Sequence, residues 1–195
     1  MGRKFVIIFS ILHQILARTE SNLPAVCPEI VSRTRWGART ALEVDYALIP
    51  VENVVVHHTV TNTCSTEEEC AAILRNIQNF HMENLDFHDI GYNFLVGGDG
   101  QIYEGAGWHK VGAHTRGYNS RSLGLGFIGN YTTQLPNKKQ IQAAKDFLQC
   151  GVELGELGKS FKLFGARQVS ATESPGLKLY RELQNWPHFT RSPPK

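Results

Sequence analysis

The stretch Asn53-Val54-Val55-Val56-His57-His58 limits the fold more than any other segment of the chain. Consecutive β-branched residues are stiff at χ1 and favour an extended backbone. A strand that is apolar on successive residues must be covered on both faces, so this one belongs in the middle of a sheet. Its neighbours are legible nearby. Tyr92-Asn93-Phe94-Leu95-Val96 is a second strand, Gly97-Gly98-Asp99-Gly100 a tight turn, and Gln101-Ile102-Tyr103-Glu104 the returning arm of a hairpin. Leu123-Gly124-Leu125-Gly126-Phe127-Ile128-Gly129 reads as a further strand whose glycines permit close packing, and Phe161-Lys162-Leu163-Phe164-Gly165 as a short one. Helical patterns lie between them. Ser65 or Thr66 caps a helix that opens on Glu67-Glu68-Glu69, acids at the favourable end of its dipole, with Leu74, Ile77 and Phe80 facing inward and an end near Asn84. Asn137 to about Leu157 forms a long helix with Ile141, Ala144, Phe147 and Leu148 on one side, and Pro175 starts a last helix through Trp186. Strands and helices mix without a regular βαβ alternation, which predicts an α/β sheet with helices packed across it. No glycine-rich phosphate loop precedes a helix, so nucleotide binding has no support.

At 195 residues the chain suits one domain plus a processed leader. Arg3-Lys4 followed by Phe5-Val6-Ile7-Ile8-Phe9-Ser10-Ile11-Leu12 is a basic start and a short apolar run. It falls well below the roughly 20 residues that span a bilayer but suits a signal peptide over residues 1–20. No later stretch is apolar for long enough to cross a membrane, which points to a secreted product. The net charge of +2 is too small to argue for nucleic acid as a partner. Export makes Cys27, Cys64, Cys70 and Cys150 readable as disulfides, with three pairings open. Cys64 and Cys70 flank the acidic mouth of a helix and suit a loop-to-helix staple, which leaves Cys27 to tie the mature N-terminus to Cys150. No pair has the C-x-x-C spacing of a structural zinc site.

The eight histidines are the unusual element of the composition. His57 and His58 end the central strand, where alternation lets only one of them face a given groove easily. His81 falls on the first long helix, His114 follows the hairpin in Gly112-Ala113-His114-Thr115, and Tyr92 opens the second strand. A zinc hydrolase needs a third protein ligand and an open position for water. With all four cysteines better used as staples, spacing alone identifies no such ligand.

Longer blocks carry more information. In order they are Val31-Ser32-Arg33 with Trp36-Gly37-Ala38, and Val56-His57-His58-Thr59 with Cys64 and Cys70. Asp89-Ile90-Gly91-Tyr92-Asn93-Phe94-Leu95-Val96-Gly97 follows, then Tyr103-Glu104-Gly105 with Gly107-Trp108, and Gly112-Ala113-His114. Gly124 with Gly126-Phe127-Ile128-Gly129-Asn130, and Ser174-Pro175-Gly176, complete the set. Together these resemble the peptidoglycan recognition proteins, in the short secreted form found in insects. The resemblance spans nearly the whole chain after the leader. It implies a recognition domain at residues 27–190, with a central mixed β-sheet, about three flanking α-helices and a groove for a muramyl peptide, similar in fold to phage-type zinc amidases.

Amidase members of that family hold zinc with two histidines and a cysteine and cut the bond between N-acetylmuramic acid and L-alanine. The resemblance places the histidines on His57 and His114, the tyrosine that assists the hydrated zinc on Tyr92, and the cysteine on Ser174. A neutral serine hydroxyl is a far poorer zinc ligand than a thiolate. The family also often reads Gly-His-Arg-Asp where this chain has Gly165-Ala166-Arg167-Gln168. The expectation is a binder without a zinc cofactor, not an enzyme, in which His57, Tyr92, His114 and Ser174 are remnants of the amidase positions. The alternatives are a zinc-dependent N-acetylmuramoyl-L-alanine amidase with a rearranged ligand such as Glu173, or cleavage within the stem peptide by Ser174, which needs a general base within about 3 Å.

The groove-lining positions implied by the resemblance are His58, Thr59, His81, Asp86, Phe87, Tyr92, His114 and Asn119. Lysine-type binders in the family are similar to Asn-Phe at the positions of Asp86-Phe87, and diaminopimelate-type binders to Gly-Trp. An aspartate there would attract a lysine ammonium and repel the extra carboxylate of diaminopimelate. The arginine usual in the latter group corresponds to Ser120, with Arg121 adjacent. A preference for lysine-type, Gram-positive peptidoglycan is expected, with a diaminopimelate-type binder as the alternative. By the same resemblance the protein would circulate in haemolymph and feed a protease cascade that activates the Toll pathway, with a glucan-recognition protein or a modular serine protease as partner. Asn130-Tyr131-Thr132 is an N-glycosylation sequon.

Overall fold

A computed structural model describes residues 27–194, so the leader expected at residues 1–20 lies outside the described part. Six strands build one sheet: β1 (Ile30–Val31), β2 (Val51–His58), β3 (Phe94–Val96), β4 (Ile102–Glu104), β5 (Leu123–Phe127) and β6 (Leu157–Gly165), in the spatial order β1-β4-β3-β5-β2-β6. The valine run puts β2 between β5 and β6 and parallel to both, with Val54 opposite Leu123 and Leu163 and Val56 opposite Leu125 and Gly165. β3 runs parallel to β5 and antiparallel to β4, so the sheet is mixed. Asp99 fixes the hairpin turn: its carboxylate accepts from the Gln101 backbone N–H and from the Tyr103 hydroxyl at 2.6 Å.

Among the described residues four α-helices accompany the sheet: α1 (Arg33–Trp36), α2 (Glu67–Asn84), α3 (Lys138–Glu153) and α4 (Leu177–Leu183). Thr66 rather than Ser65 caps α2, its hydroxyl accepting from Glu69 N–H while the Glu69 carboxylate turns back to Ser65. Asn137 caps α3 in the same way through Gln140 N–H. Some boundaries depart from the sequence pattern. α3 stops at Glu153 instead of Leu157 because Gly155 takes a φ of 76° and turns the chain into β6, which starts four residues before Phe161. α4 begins at Leu177 instead of Pro175 because Gly176, at a φ of 87°, lies outside the helical region. Tyr92 and Asn93 precede β3, and the Asn93 side chain instead ties neighbouring segments together, donating to the carbonyls of Gly107 and Lys110 and accepting from Gly124 N–H.

The sheet faces meet different helices. Val54, Val56, Phe94, Val96, Leu125 and Phe127 pack beneath α3 through Ala144, Phe147 and Leu148, and beneath α4 through Leu179 and Leu183. On the other face Leu95, Tyr103 and Ile128 meet Cys70, Ala71, Leu74 and Ile77 of α2 and the fully buried Trp36 of α1. Each buried valine, leucine, isoleucine or phenylalanine among them contributes roughly 1.5–3 kcal/mol by leaving water. Cys64 bonds to Cys70 within this second layer, and Cys27 bonds to Cys150 of α3.

Candidate functional site

Between α2 and the C-terminal end of β2 lies an open groove of about 640 Å³. Ile73, Asn76, Ile77, Phe80 and His81 of α2 form one wall, the β2 end with Thr59 to Asn62 and Tyr92 the base, and Thr172 to Ser174 the far side. The base exists because β5 carries no side chains on this face. A methyl group at Gly124 would overlap the His114 ring, and one at Gly126 would lie 3.2 Å from the Tyr92 ring. The intervening residues, Leu123, Leu125 and Phe127, point into the layer under α3.

Polar rings cluster here. The His57 ring centroid is 5.4 Å from that of His114 and 5.5 Å from that of Tyr92. Thr115 Oγ1 bridges the two imidazoles, 3.0 Å from His57 Nε2 and 3.1 Å from His114 Nδ1. A hydroxyl has one proton, so at most one of these nitrogens accepts from it and the other must donate. Both strand-end histidines border the groove. His58 Nδ1 accepts from Tyr131 N–H at 3.1 Å, and its own backbone N–H donates to Ser174 Oγ at 3.1 Å. His81 Nδ1 accepts from Gly91 N–H at 2.9 Å, which leaves the proton of the neutral ring on Nε2. Its ring packs against Phe87 and Tyr92. The segment that carries Gly91 is anchored by Asp89, which accepts from Gln78 Nε2 and Ile90 N–H and pairs with Arg33 at 2.8 Å.

Burial sets the electrostatics. It holds His57 well below the usual imidazole range, assisted by the neighbouring His114 and His58, and it lowers His58. It also lowers His81, against a smaller upward pull from Asp89, and takes His114 down to about 4 against the Ser122 backbone. The Tyr92 phenol is pushed up to about 12 by the same cause. At neutral pH the groove therefore presents uncharged imidazoles and a protonated phenol, each able to donate or accept.

Of the residues nominated from sequence, His57, His58, Thr59, His81, Tyr92 and Ser174 converge on the groove. Asp86 and Phe87 stand beside it, Phe87 against the His81 ring and Asp86 exposed at a φ of 58°. His114 sits behind His57, and Asn119 Oδ1 closes the turn there by accepting from the backbone N–H groups of His114 and Thr115. Arg121 stacks on Tyr118 and donates to the Gly117 carbonyl. Sequence reasoning missed Asn62, Ile73 and Asn76, and it took Phe80 for an inward residue. Phe80 is 53% exposed and borders the groove. An aromatic residue at the edge of an otherwise buried helical stripe was the available signal.

The zinc set of the amidase fold does not fit these residues. Ser174 offers a neutral hydroxyl that already accepts a backbone N–H. His114 Nδ1 is engaged by Thr115, and its buried Nε2, without a hydrogen-bond partner among the described residues, is a single imidazole nitrogen with no thiolate to complete a set. Ala166, where the sequence pattern has a histidine, is a buried methyl group held near Ser174 by the 2.8 Å bond from Arg167 N–H to the Ser174 carbonyl. Among the described residues no group of three His, Cys, Asp or Glu is arranged to hold a metal. Nor does Ser174 Oγ hydrogen-bond to an imidazole or carboxylate among them, its partner being His58 N–H.

A mixed sheet with a groove at the end of its central strands is the α/β architecture of the amidases, and the model of the N-acetylmuramoyl-L-alanine amidase family matches residues 48–177. The chain is 58% identical over 169 residues to peptidoglycan-recognition protein 2 of Holotrichia diomphalia, covering 87% of this chain and 90% of that protein. The solved structure of Drosophila peptidoglycan recognition protein SA matches with a TM-score of 0.84 at 50% identity, over 87% of this chain and 97% of that one. Its bumblebee counterpart matches at 0.84 and 44% identity, over 86% and 100%. The chain belongs to the peptidoglycan-recognition protein family.

Proposed function

We propose that the protein is a secreted receptor that binds lysine-type peptidoglycan without cleaving it and passes the signal to a protease cascade feeding the Toll pathway. The observation that carries this reading is Ser174: a neutral hydroxyl at the position of the amidases' cysteine, tied to a backbone N–H, inside a groove whose imidazoles and phenol are uncharged at neutral pH. A muramyl peptide is extended and rich in amides, with methyl groups and a sugar ring between them. Neutral imidazoles, a phenol and the apolar Ile77 and Phe80 answer both kinds of surface. Asp86 supports the lysine preference, because its exposed carboxylate has no ion pair among the described residues and stands next to Phe87. The disulfides Cys27–Cys150 and Cys64–Cys70 suit an oxidising extracellular fluid such as haemolymph. A glucan-recognition protein or a modular serine protease would take up the signal.

Pull-down on insoluble lysine-type and diaminopimelate-type peptidoglycan tests the reading, with zinc content and free-amine release measured in the same tubes. Stronger retention on the lysine-type wall, no release and sub-stoichiometric zinc are expected. Release that stops with a chelator would make the protein an amidase with a ligand set other than the one described above. Equal or reversed wall preference would overturn the Asp86 argument and leave the receptor.

A further inference from the structure

A second cavity, of about 670 Å³, opens beside the groove and shares two of its walls, Asn62 and Ile73. It lies between the segment that leads into α2 and the 130–137 segment that leads into α3. Its chemistry differs from that of the groove. No imidazole borders it, and its wall is built from amides and hydroxyls.

Some of those groups are already committed. Glu69 accepts from Ser65, Asn137 donates to the Gly98 carbonyl, and Gln140 is consumed by the Tyr131 hydroxyl and the carbonyls of Val96 and Ile128. Others are not. The side chains of Asn62 and Gln134 make no hydrogen bond among the described residues, and Asn130 uses only Oδ1, on Thr132 N–H. Leu135, 54% exposed, offers an aliphatic surface next to Gln134. No lysine or arginine borders the cavity, so an anionic ligand finds no counter-charge, and its one carboxylate, Glu69, is turned back onto Ser65. Free amides that both donate and accept, set around an exposed aliphatic face, match the hydroxyl and acetamido groups and the C–H face of an amino sugar.

We propose that this cavity is a saccharide subsite, taking hexosamine units of the glycan strand beyond the muramyl peptide that the groove holds. The inference rests on the peptidoglycan reading above and adds a direction to it: the stem peptide runs towards His81 and Phe87, and the sugars run past Asn62. The Asn130-Tyr131-Thr132 sequon sits in the wall of the cavity, so a glycan on Asn130 would compete with the strand.

Titration calorimetry with three lysine-type ligands tests the subsite: muramyl pentapeptide, its disaccharide form, and a tetrasaccharide carrying a single stem peptide. Protein with unmodified Asn130 is used, with Thr132→Ala as background wherever intact mass shows a glycan. Affinity is expected to rise about fivefold or more from the first ligand to the last, the equivalent of one or two added hydrogen bonds. Gln134→Ala and Leu135→Ser, both at exposed positions, should each remove that rise and leave muramyl-peptide affinity within about twofold. Equal affinity for all three ligands overturns the subsite while the receptor reading stands, and so does a variant that weakens the muramyl peptide as much as the tetrasaccharide. Failure of every ligand to bind sinks both.

Discussion

The two faces of β5 come from the same five residues and do opposite things. Leu123, Leu125 and Phe127 enter the layer under α3, where Phe94, Trp108 and Phe147 meet at centroid distances of 4.6 to 5.0 Å and close the space. Gly124 and Gly126 face the other way and add nothing to the packing, which leaves seats for the His114 and Tyr92 rings and an open groove above them. Stability is concentrated where side chains interdigitate; recognition is built where they are left out. Substitutions on the closed face should therefore cost folding free energy and spare binding, and those on the open face should cost binding, with a smaller loss of stability where they displace a seated ring.

The largest separation is expected from Phe147→Ala. Removing a fully buried phenylalanine from the aromatic layer should destabilise the fold by about 3–5 kcal/mol, read from denaturant midpoints. Peptidoglycan affinity of the folded fraction should stay within about twofold. A loss of affinity comparable to that of a groove variant would show that the faces are not independent.

Acid should act on the open face next. His114, at about 4 when folded and near the ordinary 6.5 when unfolded, binds its proton more readily in the unfolded chain. Its contribution is fully present above pH 6.5 and is lost as the pH falls towards 4, on the order of 3 kcal/mol over that window. His57, His58 and His81 are lowered in the same direction and add to the slope. Urea titrations at pH 7.5, 6, 5 and 4 measure it, and a flat stability between pH 6.5 and 4.5 would mean that these rings are not held neutral by burial.

The closed face was far more legible in the sequence than the open one. The Val54-Val55-Val56 run and the Ala144-Phe147-Leu148 stripe announce a sheet and the helix that covers it, because burial writes a period into the chain. The groove has no period. Gly124 and Gly126 show as glycines in a strand, but which rings occupy their empty sites depends on segments elsewhere in the chain. The bond from His58 N–H to Ser174 Oγ spans 116 residues, and the Thr115 bridge between two imidazoles leaves no spacing signature. The family pattern supplied what periodicity could not, by marking His57, Tyr92 and Ser174 as one set. The first half of β6 has no periodicity to read: Gly158-Lys159-Ser160 is neither apolar nor alternating, and it falls in the register shift between the Val51–Leu157 and Asn53–Lys162 pairs.

Gly124→Ala and Gly126→Ala probe the seats directly. The first places a methyl group inside the His114 ring position and should cost about 1–3 kcal/mol as the ring is forced aside. Because that ring, Thr115 and His57 move together, muramyl-peptide affinity should fall by about tenfold or more. The second meets the Tyr92 ring at 3.2 Å, a distance the ring can yield by a few tenths of an ångström, so both effects should be smaller. The reverse order would place the determining ring at Tyr92.

Tyr92→Phe should be nearly silent in stability, within about 0.5 kcal/mol, because the ring keeps its seat on Gly126 and the hydroxyl has no hydrogen-bond partner among the described residues. Muramyl-peptide affinity should nevertheless drop about 2- to 10-fold, the contribution of one hydrogen bond to the ligand. Burial keeps the phenol protonated up to about 12, so it stays a donor throughout the range in which an ordinary tyrosine near 10 loses its proton. The affinity difference between wild type and Tyr92→Phe should thus be the same at pH 7 and pH 10. If it disappears at pH 10, the phenol is less buried than its seat implies. If it is absent at pH 7 as well, Tyr92 serves the open face only by packing, and the polar recognition rests on His57 and on the Nε2–H of His81.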